Sequence, residues 1–245
     1  MTKETSDPPY EKYPPPSSNL MRQLVFSYLV HHSHERSARA FLEEVKLLEG
    51  HNSDVKGPLL SEKYEELLNI THQRKKIMAS IRAGRIDRTI ALVNASFPGA
   101  LSTSPSTSNS RTIETAFALA CQALIELIRA EKFLLAIEQA RRIHNTFSKL
   151  LISSSEELEC FEHTLEDVFS LICYTEPEKS CVGHYMSKEW RIGLAEEVDR
   201  ALVEYMGCKG ESPLEILVRH AMCVRKEVEL RTKRKGDPIF KMEFK

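Results

Sequence analysis

The side chains best equipped for chemistry in this chain of 245 residues are its six cysteines, its nine histidines and a set of adjacent acidic pairs. Thioester chemistry needs an exposed cysteine whose thiolate is favoured by a base or cation, and a zinc-stapled RING needs Cys/His pairs at metal-ligand spacing. Cys121, Cys160, Cys173, Cys181, Cys208 and Cys223 are widely spaced and contain no Cys-x-x-Cys pair. Cys121, Cys173 and Cys223 fall within apolar helical runs, where a free thiol packs as a small hydrophobe. Cysteine catalysis is therefore not expected, and unpaired thiols suit an intracellular compartment. His31, His32 and His34 form a local cluster, but no second cluster in the sequence supplies further zinc ligands, so they are expected to be solvated at a helix end. Glu43-Glu44, Glu65-Glu66 and Glu156-Glu157 are neighbours on helices, point in different directions, and suit solvated faces better than general acid–base work. No phosphate loop, dinucleotide-type glycine pattern or GxSxG elbow occurs, and the chain has only 9 glycines. The expectation is no catalytic residue, no cofactor and no metal.

Charge narrows the partners. Lys+Arg 34 against Asp+Glu 35 gives a net charge of -1, so no overall field draws the chain to nucleic acid or to an anionic membrane. The compact basic run Arg231-Thr232-Lys233-Arg234-Lys235, just after Arg225-Lys226, suits nuclear import factors or an acidic partner, or else simply offsets a helix dipole. No window approaches the roughly 18 apolar residues of a membrane span, and MTKETSDPPYEKYPPP lacks the apolar run of a signal peptide. A soluble protein of the cytoplasm and nucleus is expected. With 42% hydrophobic and 28% charged residues the chain should fold, as one large or two small domains.

The elements that carry these residues follow a helical period throughout, with no sustained two-residue alternation. Residues 1–18 hold five prolines and are expected to be a disordered leader. Asn19 is a candidate cap for a helix with Met21, Leu24, Val25, Tyr28 and Leu29 on its apolar stripe, ending at His31-His32-Ser33. A second helix from about His34 carries Ala38, Phe41, Leu42, Val45 and Leu48 to Gly50, completing a hairpin. Tyr64 to Ile81 form a longer helix stopped at Gly84, and Ile86, Ile90 and Val93 continue to Phe97-Pro98. The polar stretch Ser102 to Ser110 holds no side chain suited to a core and is expected to be a surface loop. Ile113 to Ile128 is so apolar that it must be buried on more than one side. Phe133, Ile137 and Ala140 mark the next helix, Leu158 to Ile172 another, and two more follow. The last opens with Ser212-Pro213-Leu214-Glu215, a cap, an N1 proline and a capping-box glutamate. About nine helices are predicted.

Leu20, Leu24, Val25, Tyr28 and Leu29, then Ala38, Ala40, Phe41 and Glu44, resemble a LisH motif, with Ser33-His34 where that family commonly has Gly-Tyr. Arg74 to Leu101 is similar to a CTLH motif, whose marks are an arginine, an I-x-x-x-I-x-x-G-x-I run, an alanine-rich helix and a proline. Cys121 to Arg142 resembles the start of a CRA domain, and Val168 through Tyr174, Glu176-Pro177 and Val182-Gly183 to Arg191 its later half. The three stand in the order of the LisH–CTLH–CRA family.

The resemblance implies an all-α fold, a LisH helical hairpin followed by a CTLH and CRA helical bundle. Its divisions are a disordered leader 1–18, a LisH dimerisation motif 19–50, a CTLH motif 62–101, a flexible polar insert 102–111, a CRA domain 112–232 and a basic tail 233–245. The insert departs from the compact type, in which CTLH and CRA run on directly, and no SPRY domain of the RanBPM type is expected. The resemblance further implies a non-catalytic scaffold of a GID/CTLH-type ubiquitin ligase acting in proteasome-dependent degradation. Its partners would be other LisH–CTLH–CRA proteins, RING subunits and a substrate receptor, in a homo- or hetero-oligomer, with no nucleic acid and no membrane. A RanBPM-like Ran-pathway or cytoskeletal adaptor is the alternative. Two short helices cannot cover their own apolar stripe. Either Leu24, Val25, Tyr28, Leu29 and Phe41 pair with another LisH copy, as the resemblance implies, or they dock on the chain's own CTLH helices.

Overall fold

The first helix starts at Ser17, whose hydroxyl accepts the Leu20 N–H at 3.3 Å, so the cap falls earlier than the expected Asn19. The computed structural model describes residues 17–50, 62–102, 110–150, 155–208 and 210–235. Among these residues there are nine α-helices and no strand: α1 (Ser18–His31), α2 (Glu35–Gly50), α3 (Glu62–Arg82), α4 (Ile86–Ser96), α5 (Ser110–Arg129), α6 (Phe133–Leu150), α7 (Ser155–Ser170), α8 (Lys188–Tyr205) and α9 (Pro213–Lys235). The fold is all-α, as the apolar periodicity predicts. The expected leader lies outside the described residues except for Ser17 and Ser18, as do most of the insert and of the basic tail. The described ends of those segments are helical: α5 begins within the expected insert and α9 runs into the expected tail.

The chain divides into two units, Met1–Leu68 with Glu211–Lys245, and Asn69–Gly210. In the first, α1 and α2 meet across a tight turn in which Ser33 takes φ 55°, the left-handed conformation that glycine adopts most easily. The turn is closed by the His34 N–H donating to the Leu29 carbonyl at 2.8 Å, and His34 lies beside the rings of His32 and Tyr28. Serine and histidine thus occupy this turn. The core of this unit is Phe26, Ala38, Leu42, Val45 and Leu68, with the Phe26 and Tyr64 rings edge to face at 5.1 Å. The expected α1 stripe omits Phe26, which is the buried residue of that helix, and includes Met21, which is exposed.

In the second unit α5 has apolar neighbours on opposite sides. Phe117, Cys121, Leu124 and Ile128 join a cluster with Ala136, Ile143 and Phe147 of α6, whereas Leu119 joins Ile77, Ile81, Val93 and Val198 in another. The expectation that α5 is the central helix holds. Phe133, which marks the start of this helix, is 44% exposed, because α6 turns Ala136, Ala140, Ile143 and Phe147 inward.

Polar pins hold these layers together. Arg74 of α3, only 1% exposed, donates Nε to Asp199 Oδ1 at 2.8 Å and Nη2 to Oδ2 at 2.7 Å on α8. Arg191 of α8 makes a similar fork to Glu126 of α5, at 2.8 and 2.6 Å. Gly84, at φ +71°, closes α3 against that second pair, and a Cβ there would lie 2.9 Å from Glu126 Oε2. Gly84→Ala should therefore cost at least the roughly 1–2 kcal/mol of a left-handed alanine, read as a lower midpoint in urea. A midpoint equal to that of the parent chain would show that the turn relaxes freely.

Candidate protein-interaction surface

The six cysteines divide by burial. Cys121 is the buried cysteine, and burial pushes its thiol up to about 12, far from the thiolate form at neutral pH. The expectation that Cys173 and Cys223 also pack in the core is corrected, since both are exposed. Cys173 ends a 3-10 turn, Leu171–Cys173, of which Leu171 takes the buried place, and Cys223 lies on α9 between exposed Met222 and Val224. Iodoacetamide on the folded protein should alkylate Cys160, Cys173, Cys181, Cys208 and Cys223 and spare Cys121, as peptide mass spectrometry would read. Labelling of Cys121 without denaturant would show that its cluster opens readily.

What the first unit offers instead is uncovered apolar surface. The five expected contact residues do not share one environment. Leu29 and Phe41 are half-buried at the edge of the Phe26–Leu42 core, whereas Leu24, Val25 and Tyr28 are half-buried apart from that cluster. Lys46 of α2 donates to Glu65 of α3 at 2.6 Å, and that hydrogen bond holds the Glu65 carboxyl below the usual carboxylate range.

Helix α9 adds exposed apolar surface. Leu214, Leu217, Ala221, Val224 and Val228 follow one another in alternating steps of three and four residues, the spacing of a coiled-coil seam. Leu217 is 51%, Val224 63% and Val228 53% exposed. Helix α9 packs against α1, yet Leu217 and Val224 stay more than half exposed, and such a seam of exposed apolar side chains suits a covering partner. Heptad spacing is visible in the sequence, but exposure is not.

The start of α9 is firmly built. Ser212 and Glu215 form the expected capping box: the Ser212 N–H and hydroxyl donate to Glu215 Oε2 at 2.8 and 2.7 Å, and the Glu215 N–H donates to Ser212 Oγ at 3.3 Å. Hydrogen bonds from the Ser212 backbone and side chain hold the Glu215 carboxyl below its ordinary range, with a smaller contribution from His32. Its other oxygen, Oε1, lies 2.9 Å from His32 Nε2 at the end of α1. The histidine cluster, expected to stand alone, thus has a carboxylate neighbour from a distant part of the chain.

A second exposed apolar patch begins α6, where Phe133, Leu134 and Leu135 stand in a row and Leu134 is 81% exposed. No helix among the described residues is long and apolar enough to cross a membrane.

The family model described as "CTLH/CRA C-terminal to LisH motif domain" matches residues 70–229. The chain belongs to the CTLH family. It is also similar to a protein of Arabidopsis thaliana described as "Ran-binding protein M homolog", at 26% identity over 210 residues, covering 82% of this chain and 41% of that relative. The chain therefore spans about two fifths of the length of the curated relative it matches. CTLH membership supports a protein-interaction adaptor or scaffold. Within the CTLH region, the motif residues that led to the resemblance are structural: Ile77, Ile81 and Ile86 are buried, Gly84 turns the chain, and Arg74 is the buried pin to Asp199. Among the described residues, exposed apolar side chains include Leu217 and Val224 of α9 and Phe133, Leu134 and Leu135 of α6.

Proposed function

We propose that this chain is a non-catalytic scaffold subunit of a GID/CTLH-type ubiquitin ligase. It joins other LisH–CTLH–CRA proteins through the hairpin and α9, and meets RING subunits or a substrate receptor through its CTLH–CRA surface, in the cytoplasm and nucleus. The observation that carries this reading is the heptad-spaced seam of α9, in which Leu217 and Val224 are more than half exposed. The reading keeps the 19–50 hairpin as the LisH element, with Leu24, Val25 and Tyr28 half-buried on α1. It treats 62–101 as the CTLH motif and 112–232 as the CRA domain. Leu134 and its neighbours suit the second contact.

A second reading, a RanBPM-like adaptor in Ran-pathway or cytoskeletal transport, draws on the likeness to the Arabidopsis Ran-binding protein M homologue. Affinity purification of the full chain from cells followed by mass spectrometry separates the two. RING subunits and other LisH–CTLH–CRA proteins are the expected co-purifying partners, and Ran or microtubule proteins in their place would favour the second reading.

A further inference from the structure

Outside the apolar surfaces, the feature with the most specific chemistry is the histidine pair at the end of α1. Nε2 of His32 lies 2.9 Å from Oε1 of Glu215, although the two residues are 183 positions apart. The neighbouring His31 ring sits edge to face against His32 at 5.1 Å. One ligand atom from each of His31, His32 and Glu215 can be chosen so that all lie within 4.8 Å of one another. Both His32 and Glu215 are about a third exposed, at 36% and 35%, so the group is sheltered yet open to an ion from solvent.

We propose that His31, His32 and Glu215 form a binding site for a zinc-class divalent cation at the junction of α1 and α9. Two imidazole nitrogens and one carboxylate oxygen are a donor set suited to borderline metals such as zinc and not to magnesium or calcium, which prefer oxygen alone. Zinc bonds of about 2.0–2.2 Å bring tetrahedral ligands to roughly 3.5 Å from one another, so small side-chain rotations close the site. Glu215 is oriented for this in advance. Its Oε2 is held by the Ser212 N–H and hydroxyl, leaving Oε1 as the donor that points at the histidines. Three protein ligands leave a fourth position for water or for a ligand from another molecule. A bound cation would replace the His32–Glu215 hydrogen bond with stronger ties and fix the start of α9 on the end of α1. This inference does not depend on the ubiquitin-ligase reading.

The test is zinc chloride titrated calorimetrically into the full chain, with cobalt(II) as a spectroscopic probe. One zinc per chain is expected, with a cobalt spectrum of nitrogen and oxygen ligation and a melting temperature that rises on adding zinc. His31→Ala and Glu215→Gln should each weaken zinc binding by at least about tenfold, and glutamine keeps the capping box intact. Unchanged affinity in either variant, or no saturable binding to the parent chain, would overturn the proposal. So would a cobalt–thiolate charge-transfer band, which would place the metal on the exposed cysteines. The spectrum of the parent chain decides the matter by itself if a variant fails to fold.

Discussion

Arg74→Ala should lower the unfolding free energy by about 3–5 kcal/mol, the usual cost of removing one partner of a buried ion pair. Arg74 is 1% exposed, and its guanidinium makes two parallel hydrogen bonds to Asp199 at 2.8 and 2.7 Å. Deleting it leaves the Asp199 carboxylate, itself only 13% exposed, without the fork that compensates its burial. A loss of this size is a large share of the roughly 5–15 kcal/mol that holds an ordinary domain together. Arg74→Lys should recover little of it, because an ammonium cannot make the planar two-point contact. Urea unfolding followed by circular dichroism is the measurement. An Arg74→Ala midpoint close to that of the parent chain would mean that the pin between α3 and α8 contributes nothing net.

Leu217→Asp combined with Val224→Asp should convert a self-associated or hetero-associated chain to the monomer. Both side chains are more than half exposed, so the aspartates disturb little packing within the chain, while two charges placed in a helical seam block its burial against another helix. Association through one face on each copy favours a closed two-fold dimer. Light scattering of the purified chain should therefore give at least twice the monomer mass, falling to the monomer in the double variant. The same mass for both would show that α9 is not the contact. This choice is better than substituting Leu29 and Phe41, the residues that the stripe of the hairpin first suggests. Both pack at the edge of the hairpin's own core, so charges there would unfold the unit and blur the result.

The helical class, the order of the helices and the capping box Ser212–Glu215 were legible because each is a local signal: period, cap and breaker within one turn of the chain. The same holds for α5, whose all-round apolar surface announced burial on two sides. Tertiary neighbours were not legible. Phe26 was passed over for its stripe neighbours because periodicity in a short helix does not say which apolar residue faces the next layer. Cys173 and Cys223 lie in apolar runs that expose one face, so composition alone points to the core for both. Arg74 could be marked only as a motif residue, because its partner Asp199 is 125 residues away, and the His32–Glu215 contact spans 183. The α9 seam was visible as a pattern, but its meaning depended on whether another helix covers it.

Ubiquitin transfer by the captured assembly tests the scaffold reading most directly. The complex isolated on the full chain, supplied with activating enzyme, conjugating enzyme, ubiquitin and ATP, should build ubiquitin chains. The purified chain alone should build none, and a complex captured on the Leu217→Asp, Val224→Asp variant should build fewer. No transfer by the captured assembly, or transfer by the purified chain alone, would contradict the account.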